Sequence, residues 1–337
     1  MSLLEISGLR VEFASDDGVL VAVKGVDLSV EQGEVLGLVG ESGSGKSLTC
    51  RSVMRMVPWP GRIAAGQIRF DGKDVMAMGK AELRDFRAHS VGMVSQNPFG
   101  SLNPVFRVGA QLAETLRVNR GMGKREAKAD AIELLDRVGI VDPERSYNSY
   151  PHELSGGMSQ RVMIALATAS HPHLLLADEP TTALDVTTQA QILRLLNEMR
   201  KEEGMTMLLV SHDFGVIAEV CDRVAVMYGG HVVETGPTDA IYHDPQHPYT
   251  RALLDSIPDL DSAGGATRRS PISGYPPELS DVIPGCVFAP RCRFAAPGCG
   301  GISMKLEPVG EGRTSACPVR PFAKAATPGG ERTETER

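Results

Sequence analysis

Residues 40–47 read GESGSGKS, and the apolar run EVLGLVG leads straight into them. The octet fits the pattern G-x-x-x-x-G-K-[ST], in which a buried strand enters a glycine-rich turn and a helix starts directly behind it. Gly40, Gly43 and Gly45 let backbone N–H groups turn inward around phosphate oxygens, and Ser42, Ser44 and Leu48 complete the cradle. The helix N-terminus behind it has a dipole that favours anions. Lys46 is expected to reach the β- and γ-phosphates, and the Ser47 hydroxyl to ligate Mg²⁺. A phosphate loop of this kind requires an α/β core.

The flanking sequence agrees. Residues 3–30 alternate apolar and polar in short pieces, the signature of antiparallel strands. IRFDGKDV and HSVGMVSQNP read as further strands, and SLTCRSVMRMV as the helix behind the loop. From about Val105 to Ser149 the period becomes helical, which predicts a helical insertion. After Ser155 helix and strand alternate again, through QRVMIALATAS, HLLLAD, TTQAQILRLLNEMRKEE, MTMLLVS and GVIAEVCD. RVAVMYGGHVVETG closes as a hairpin on a Gly-Gly turn. This order predicts a mostly parallel, doubly wound sheet, with ligands held at the carboxyl ends of its strands. From Thr238 prolines and glycines dominate, and residues 323–337 read as a disordered tail.

Two further motifs fall at such ends. HLLLADEP closes a buried strand with two acids: Asp178 is expected to hold Mg²⁺ through its water shell, and Glu179 to position or deprotonate the attacking water. An apolar run ending in solvated acids reads the same way in isolation, so the phosphate loop upstream gives the pair its meaning. LSGGMSQRV, residues 154–162, places Ser155 as a helix cap with Gly156 and Gly157 beside it. Taken alone, a plain helix N-cap with a glycine turn is the better reading of that stretch. A second anion-ready helix start in one chain nevertheless suggests a nucleotide held by another subunit.

Composition narrows the class. The net charge of -7 and pI near 5.7 argue against a nucleic-acid-binding surface. Neither a signal peptide nor a membrane-crossing apolar run is visible, so a soluble chain that reaches a membrane only through partners is expected.

Taken in order, GESGSGKS, Gln96 in VSQNP, LSGGMSQR, LLLADEP, TALD and His212 in LLVSHD resemble the ATP-binding cassette (ABC) ATPases. SLNP after Gln96, LSGGM, and HPYTRALL at 247–254 are similar to the dipeptide and oligopeptide transporter ATP-binding subunits. The resemblance covers about residues 3–320. It implies an ABC-type P-loop ATPase with an antiparallel β subdomain and a helical subdomain near 98–153, the cassette spanning 1–236. A Pro/Gly/Cys-rich C-terminal domain would span 237–322.

Carried onto this sequence, the resemblance implies that Phe13 stacks on adenine, Gln96 contacts Mg²⁺ or the lytic water, and His212 contacts the γ-phosphate. Ser155, Gly156, Gly157 and Asp185 would meet the nucleotide or surface of the opposing subunit. With Lys46, Glu179 and His212 all present, a hydrolysis-competent half-site is expected. The implied partners are a second, non-identical ATPase subunit, two transmembrane permeases and an extracytoplasmic solute-binding protein, at the cytoplasmic face of the inner membrane. Alternatives are an ABC ATPase acting in repair, on the ribosome or in metal-cluster assembly, or an importer of nickel, glutathione or oligosaccharide.

Four of the six cysteines lie near the C-terminus as C-x5-C-x6-C-x17-C: Cys286, Cys292, Cys299 and Cys317. The other two, Cys50 and Cys221, sit in apolar stretches and read as buried small hydrophobes. Disulfides are disfavoured in a reducing cytosol, and structural zinc usually has tighter pairs. An all-cysteine metal site is the preferred reading of the spacing, with unpaired structural thiols the main alternative. The family resemblance implies a [4Fe–4S] cluster there, in place of the Zn²⁺ that the cysteines alone also allow; Arg291 and Arg293 are then expected to offset the negative charge of thiolates and cluster.

Overall fold

The computed structural model describes residues 1–16, 18–182, 184–256, 272–278, 280–281 and 283–322, the side chain of Phe99 excepted. The tail expected at 323–337 lies outside the described residues.

The alternating N-terminal segment forms strands β1 (Ser2–Ser15) and β2 (Gly18–Glu31), paired antiparallel. Along β1 Leu4, Ile6, Leu9 and Val11 are buried while Glu5, Ser7 and Arg10 are exposed. A register shift between Ile6 and Leu9 turns Leu9 back to the buried face. β3 (Val35–Val39) is buried at every position, as a central strand covered on both faces must be, and α1 (Lys46–Val53) follows the glycine-rich turn. β4 (Gly61–Phe70) and β5 (Lys73–Asp74) complete a four-stranded sheet of order β2-β1-β4-β5.

After α2 (Lys80–Asp85) and β6 (Val91–Val94) comes the helical block: α3 (Pro98–Ser101), α4 (Val108–Arg120), α5 (Lys124–Arg137) and α6 (Pro143–Asn148). α4 and α5 bury Leu112, Leu116, Ala127, Ala131 and Leu135 in one core shared with the central sheet. The chain then alternates α7 (Gly156–Thr168), β7 (Leu174–Asp178), α8 (Val186–Glu203), β8 (Thr206–Ser211) and α9 (Phe214–Val220). β9 (Arg223–Tyr228) and β10 (His231–Pro237) form the expected hairpin, with Gly229 and Gly230 at φ 52° and 86°.

The extension departs from the turn-rich texture of its sequence. It contains α10 (Thr238–His243), α11 (Pro248–Leu254) and a hairpin of β11 (Glu307–Gly310) and β12 (Arg313–Ser315). The second sheet therefore has eight strands in the order β11-β12-β10-β9-β3-β8-β7-β6. The run β9-β3-β8-β7-β6 is parallel, and β10, β12 and β11 are added antiparallel. Thr235 pairs with Thr314, so backbone pairing ties the C-terminal segment to the edge of the central sheet. Buried Glu234 fixes the junction by accepting the N–H groups of Gln246 and His247 at 2.7 and 2.9 Å. Among the described residues no helix is long and apolar enough to cross a membrane.

Candidate functional site

The parallel strands deliver their polar ends to one place. Ser42 to Leu48 line a cavity of about 490 Å³ together with Ala22, Gln96, Glu179, Thr182 and His212. Gln96 follows β6, Glu179 follows β7 and His212 follows β8, each just past a carboxyl end.

Within the loop, Gly40 is required by close approach: a Cβ there would stand 2.0 Å from the carbonyl oxygen of Met227. Gly45, the residue before α1, has φ 102°, a conformation glycine adopts without strain. Lys46 is 4% exposed, and its ammonium donates to the carbonyls of Gly40 at 2.7 Å and Glu41 at 2.8 Å. Burial lowers its pKa, and Glu179, Asp178 and Glu41 oppose that shift.

Ser47 Oγ donates to Asp178 Oδ1 at 2.7 Å, bringing together the hydroxyl and carboxylate expected to serve Mg²⁺. Asp178 is fully buried, and burial raises its pKa against the opposing effects of Ser47 and Arg51. Arg51, one turn further along α1, lies 3.4 Å from the other carboxylate oxygen.

Glu179 is the hub. Its Oε2 accepts from Gln96 Nε2 at 3.0 Å and Thr182 Oγ1 at 2.9 Å, and lies 3.4 Å from His212 Nδ1. Its backbone has φ 49°, a region a non-glycine residue enters only when its surroundings enforce it. Here Glu179 N–H donates to Val210 O on the neighbouring strand at 3.0 Å.

The remaining expected residues lie elsewhere. Phe13 is on β1, outside the lining of this cavity, where its ring covers Gly61: a Cβ on Gly61 would stand 2.7 Å from it. Ser155 caps α7 by accepting the Met158 N–H at 3.3 Å, and Asp185 caps α8 by accepting the Thr188 N–H at 3.0 Å. That hydrogen bond, with the Thr188 hydroxyl, holds the Asp185 carboxyl below its ordinary pKa. Ser155 and Asp185 are exposed, Gly156 and Gly157 half-buried, and none of the four lines the cavity.

At the other end of the extension Cys286, Cys292, Cys299 and Cys317 line one enclosed cavity with His247 and Phe288. The free space is about 10 Å³, and among the described residues no group of three or more His, Cys, Asp or Glu is arranged to hold a metal ion. Burial raises the thiol pKa of Cys286, Cys292 and Cys317, and neighbouring thiols add to it. His247 is 1% exposed; burial lowers its pKa to about 3, and its Nε2 has no hydrogen-bond partner.

Arg291 does not serve as the expected counter-charge for these thiols. Its guanidinium is directed instead to Glu41, with Nη1 and Nη2 at 2.6 and 3.1 Å from the carboxylate oxygens. Arg293 lies 4.0 Å from Asp255. Cys50 and Cys221 are buried, as their apolar neighbours predict.

Residues 23–182 match the family described as ABC transporter. This chain belongs to the ABC transporter ATP-binding family. Residues 233–299 of the ATPase match the family described as Oligopeptide/dipeptide transporter, C-terminal region. A Brucella abortus protein, provisionally named a peptide import ATP-binding protein, is 49% identical over 321 residues, covering 94% of this chain and 95% of its own. A Brucella melitensis protein with the same kind of name is 48% identical over 321 residues, with the same coverage. Among solved structures, the dimeric post-hydrolysis ATP-binding cassette MJ0796 bound to ADP and Pi has a TM-score of 0.64 at 29% identity. The match covers 70% of this ATPase and 98% of that chain. cbiO1 from Clostridium perfringens, part of the ABC transporter complex cbiONQ, has a TM-score of 0.61 at 29% identity, covering 72% and 90%.

Proposed function

We propose that this chain is the ATP-hydrolysing subunit of an importer for di- and oligopeptides, working at the cytoplasmic face of the inner membrane with permease subunits. The observation that carries the hydrolytic reading is the meeting of Gln96, Glu179 and His212 over the phosphate loop, from the ends of three adjacent strands. In this reading residues 40–48 cradle the phosphates, and Ser47 with Asp178 holds Mg²⁺. Glu179 orients a water and accepts its proton as the oxygen attacks the γ-phosphorus, while the bond to the ADP oxygen breaks. Gln96 fixes the Glu179 carboxylate, and His212 and Lys46 bear on the γ-phosphate as its charge redistributes. Phe13 is assigned to the adenine.

Ser155, Gly156, Gly157 and Asp185 are assigned to the opposing ATPase subunit, which we take to be non-identical. The exposure of Ser155 and Asp185 and the absence of all four from the lining of the chain's own cavity support that assignment, as does the dimeric ADP-bound relative. Nucleotide that binds the closed pair better than the open one shifts the pair toward closure, and hydrolysis releases it. A groove of about 350 Å³ lined by Met54, Met56, Met93 and Met163 suits a permease helix, since methionine adapts to apolar partners. The cassette is taken as 1–236, with the helical subdomain near 98–153 and the extension at 237–322. A solute-binding protein delivering cargo outside completes the proposed assembly.

For the four cysteines we propose an iron–sulfur cluster of the [4Fe–4S] type, with Zn²⁺ as the alternative, in a structural role. Two observations fit a bound group: all four thiols line one cavity, and His247 leaves a buried ring nitrogen unpaired there. Such a group would staple a segment that has little apolar core of its own. The test is reconstitution with both permeases and the second ATPase. ATP-dependent uptake of labelled di- and oligopeptides is expected; transport of nickel, glutathione or oligosaccharide instead would reject the cargo. Failure to co-purify with any permease would favour a non-transport ATPase.

A further inference from the structure

Glu41, the second residue of the phosphate loop, is held at three points. Its carboxylate meets the Arg291 guanidinium in a two-pronged contact of 2.6 and 3.1 Å. Its N–H donates to the Tyr249 hydroxyl at 2.8 Å, and its carbonyl accepts from Lys46 Nζ at 2.8 Å. Two of these three partners come from the C-terminal extension rather than the cassette.

Both are built into the core. The Arg291 side chain is 7% exposed although it ends a short turn, Ala289–Arg291, beside Cys292. Its Nη1 also donates to the Tyr228 hydroxyl at 3.1 Å, and its Nε to Ser273 O at 2.8 Å. Tyr249 is fully buried, and its ring lies 4.5 Å from Tyr228 and 5.3 Å from Phe288. An arginine fork held this rigidly fixes a carboxylate in orientation as well as charge. The loop's task is to bind a highly charged anion, and an unpaired carboxylate two residues before Gly43 would oppose it.

We propose that Arg291 and Tyr249 are positioning residues for the phosphate loop, through which the C-terminal extension sets the chain's affinity for MgATP. Arg291 cancels the Glu41 charge and Tyr249 fixes the loop's entry N–H. The proposal rests on the reading of residues 40–47 as the phosphate loop.

The test uses the full chain for equilibrium binding of a fluorescent ATP analogue, and the assembled complex for turnover. Arg291→Met is expected to weaken binding and raise KM roughly tenfold, far more than it lowers kcat, as loss of a charge-assisted contact does. Adding Glu41→Gln to Arg291→Met should bring affinity back toward wild type, a rescue that a purely structural role for Arg291 does not produce. Tyr249→Phe should also weaken binding, because it strands a backbone donor.

KM within twofold of wild type in Arg291→Met, or no recovery in the double variant, overturns the proposal. Should Arg291→Met fail to fold, Glu41→Gln alone decides: tighter MgATP binding supports it, and tenfold weaker binding refutes it. Wild-type chain that bound no nucleotide would sink the phosphate-loop reading itself, a result distinct from any of these.

Discussion

Glu179 Oε2 lies 3.0 Å from Gln96 Nε2, a contact that joins the ends of β7 and β6 across the sheet. Residues 83 positions apart thus share one hydrogen bond at the proposed reacting centre. Glu179→Gln keeps the volume and removes the base, so kcat should fall by about 10²–10⁴ while ATP affinity is retained. Gln96→Glu would set two carboxylates against each other and should also lower kcat. Steady-state phosphate release from the assembled complex measures both; undiminished turnover in Glu179→Gln would remove Glu179 from the chemistry.

Asp178 makes a prediction about pH and stability. Its folded pKa is raised by burial, so its charged form costs stability above that pKa, and the cost disappears as pH falls through it. Asp178→Asn should therefore leave the metal-free chain at least as stable as wild type at neutral pH. That advantage should shrink on acidification, and MgATP binding should be severely weakened. Melting curves from pH 7 downward, with and without MgATP, read out both effects.

The fully buried His247 acts in the opposite sense. Its pKa falls from the ordinary 6.5 to about 3, so the unfolded chain binds a proton over this range that the folded chain refuses. Stability contributed by the neutral ring is intact above pH 6.5 and is lost progressively between pH 6.5 and about 3. The loss amounts to about 2 kcal/mol on moving from pH 7 to pH 5 in the metal-free chain. His231, lowered to about 4 by burial and by Lys24, adds to the same slope. Urea unfolding of His247→Asn across this range should show a flatter acid limb than wild type, and an unchanged slope would contradict the assignment.

Anaerobically purified chain should contain iron and acid-labile sulfide in equal amounts. Replacing Cys292 or Cys317 by serine should abolish both and lower the melting temperature. Stoichiometric zinc without sulfide selects the alternative, and no bound metal in the wild type rejects a metal centre. Removal of the group by a chelator should loosen the extension, detected as faster proteolysis after Leu254.

Much of the candidate site is legible in the sequence because its residues follow local patterns. The strand-turn-helix of residues 35–53, the alternation of β1 and the capped start of α7 each follow from short-range periodicity and turn chemistry. Thr182 and Arg51 are not legible in the sequence, because a threonine after a strand and an arginine on a helix carry no signal until the strand order places them beside Glu179 and Asp178. The extension's hairpin is equally hidden: EPVG and RTS are too short to read as strands, and a proline marks the first. They pair only because the edge of β10 offers unsatisfied backbone groups.

Arg291 draws the line most clearly. By itself the sequence determined where the phosphate-loop pattern stands, which acids end the strands and that four thiols cluster near the C-terminus, because each is a spacing along the chain. Only the tertiary structure decided that Arg291 turns from its neighbouring cysteine toward a loop residue 250 positions away. The physical reason is that a buried guanidinium must find a carboxylate, and burial and strand pairing determine which one lies within reach.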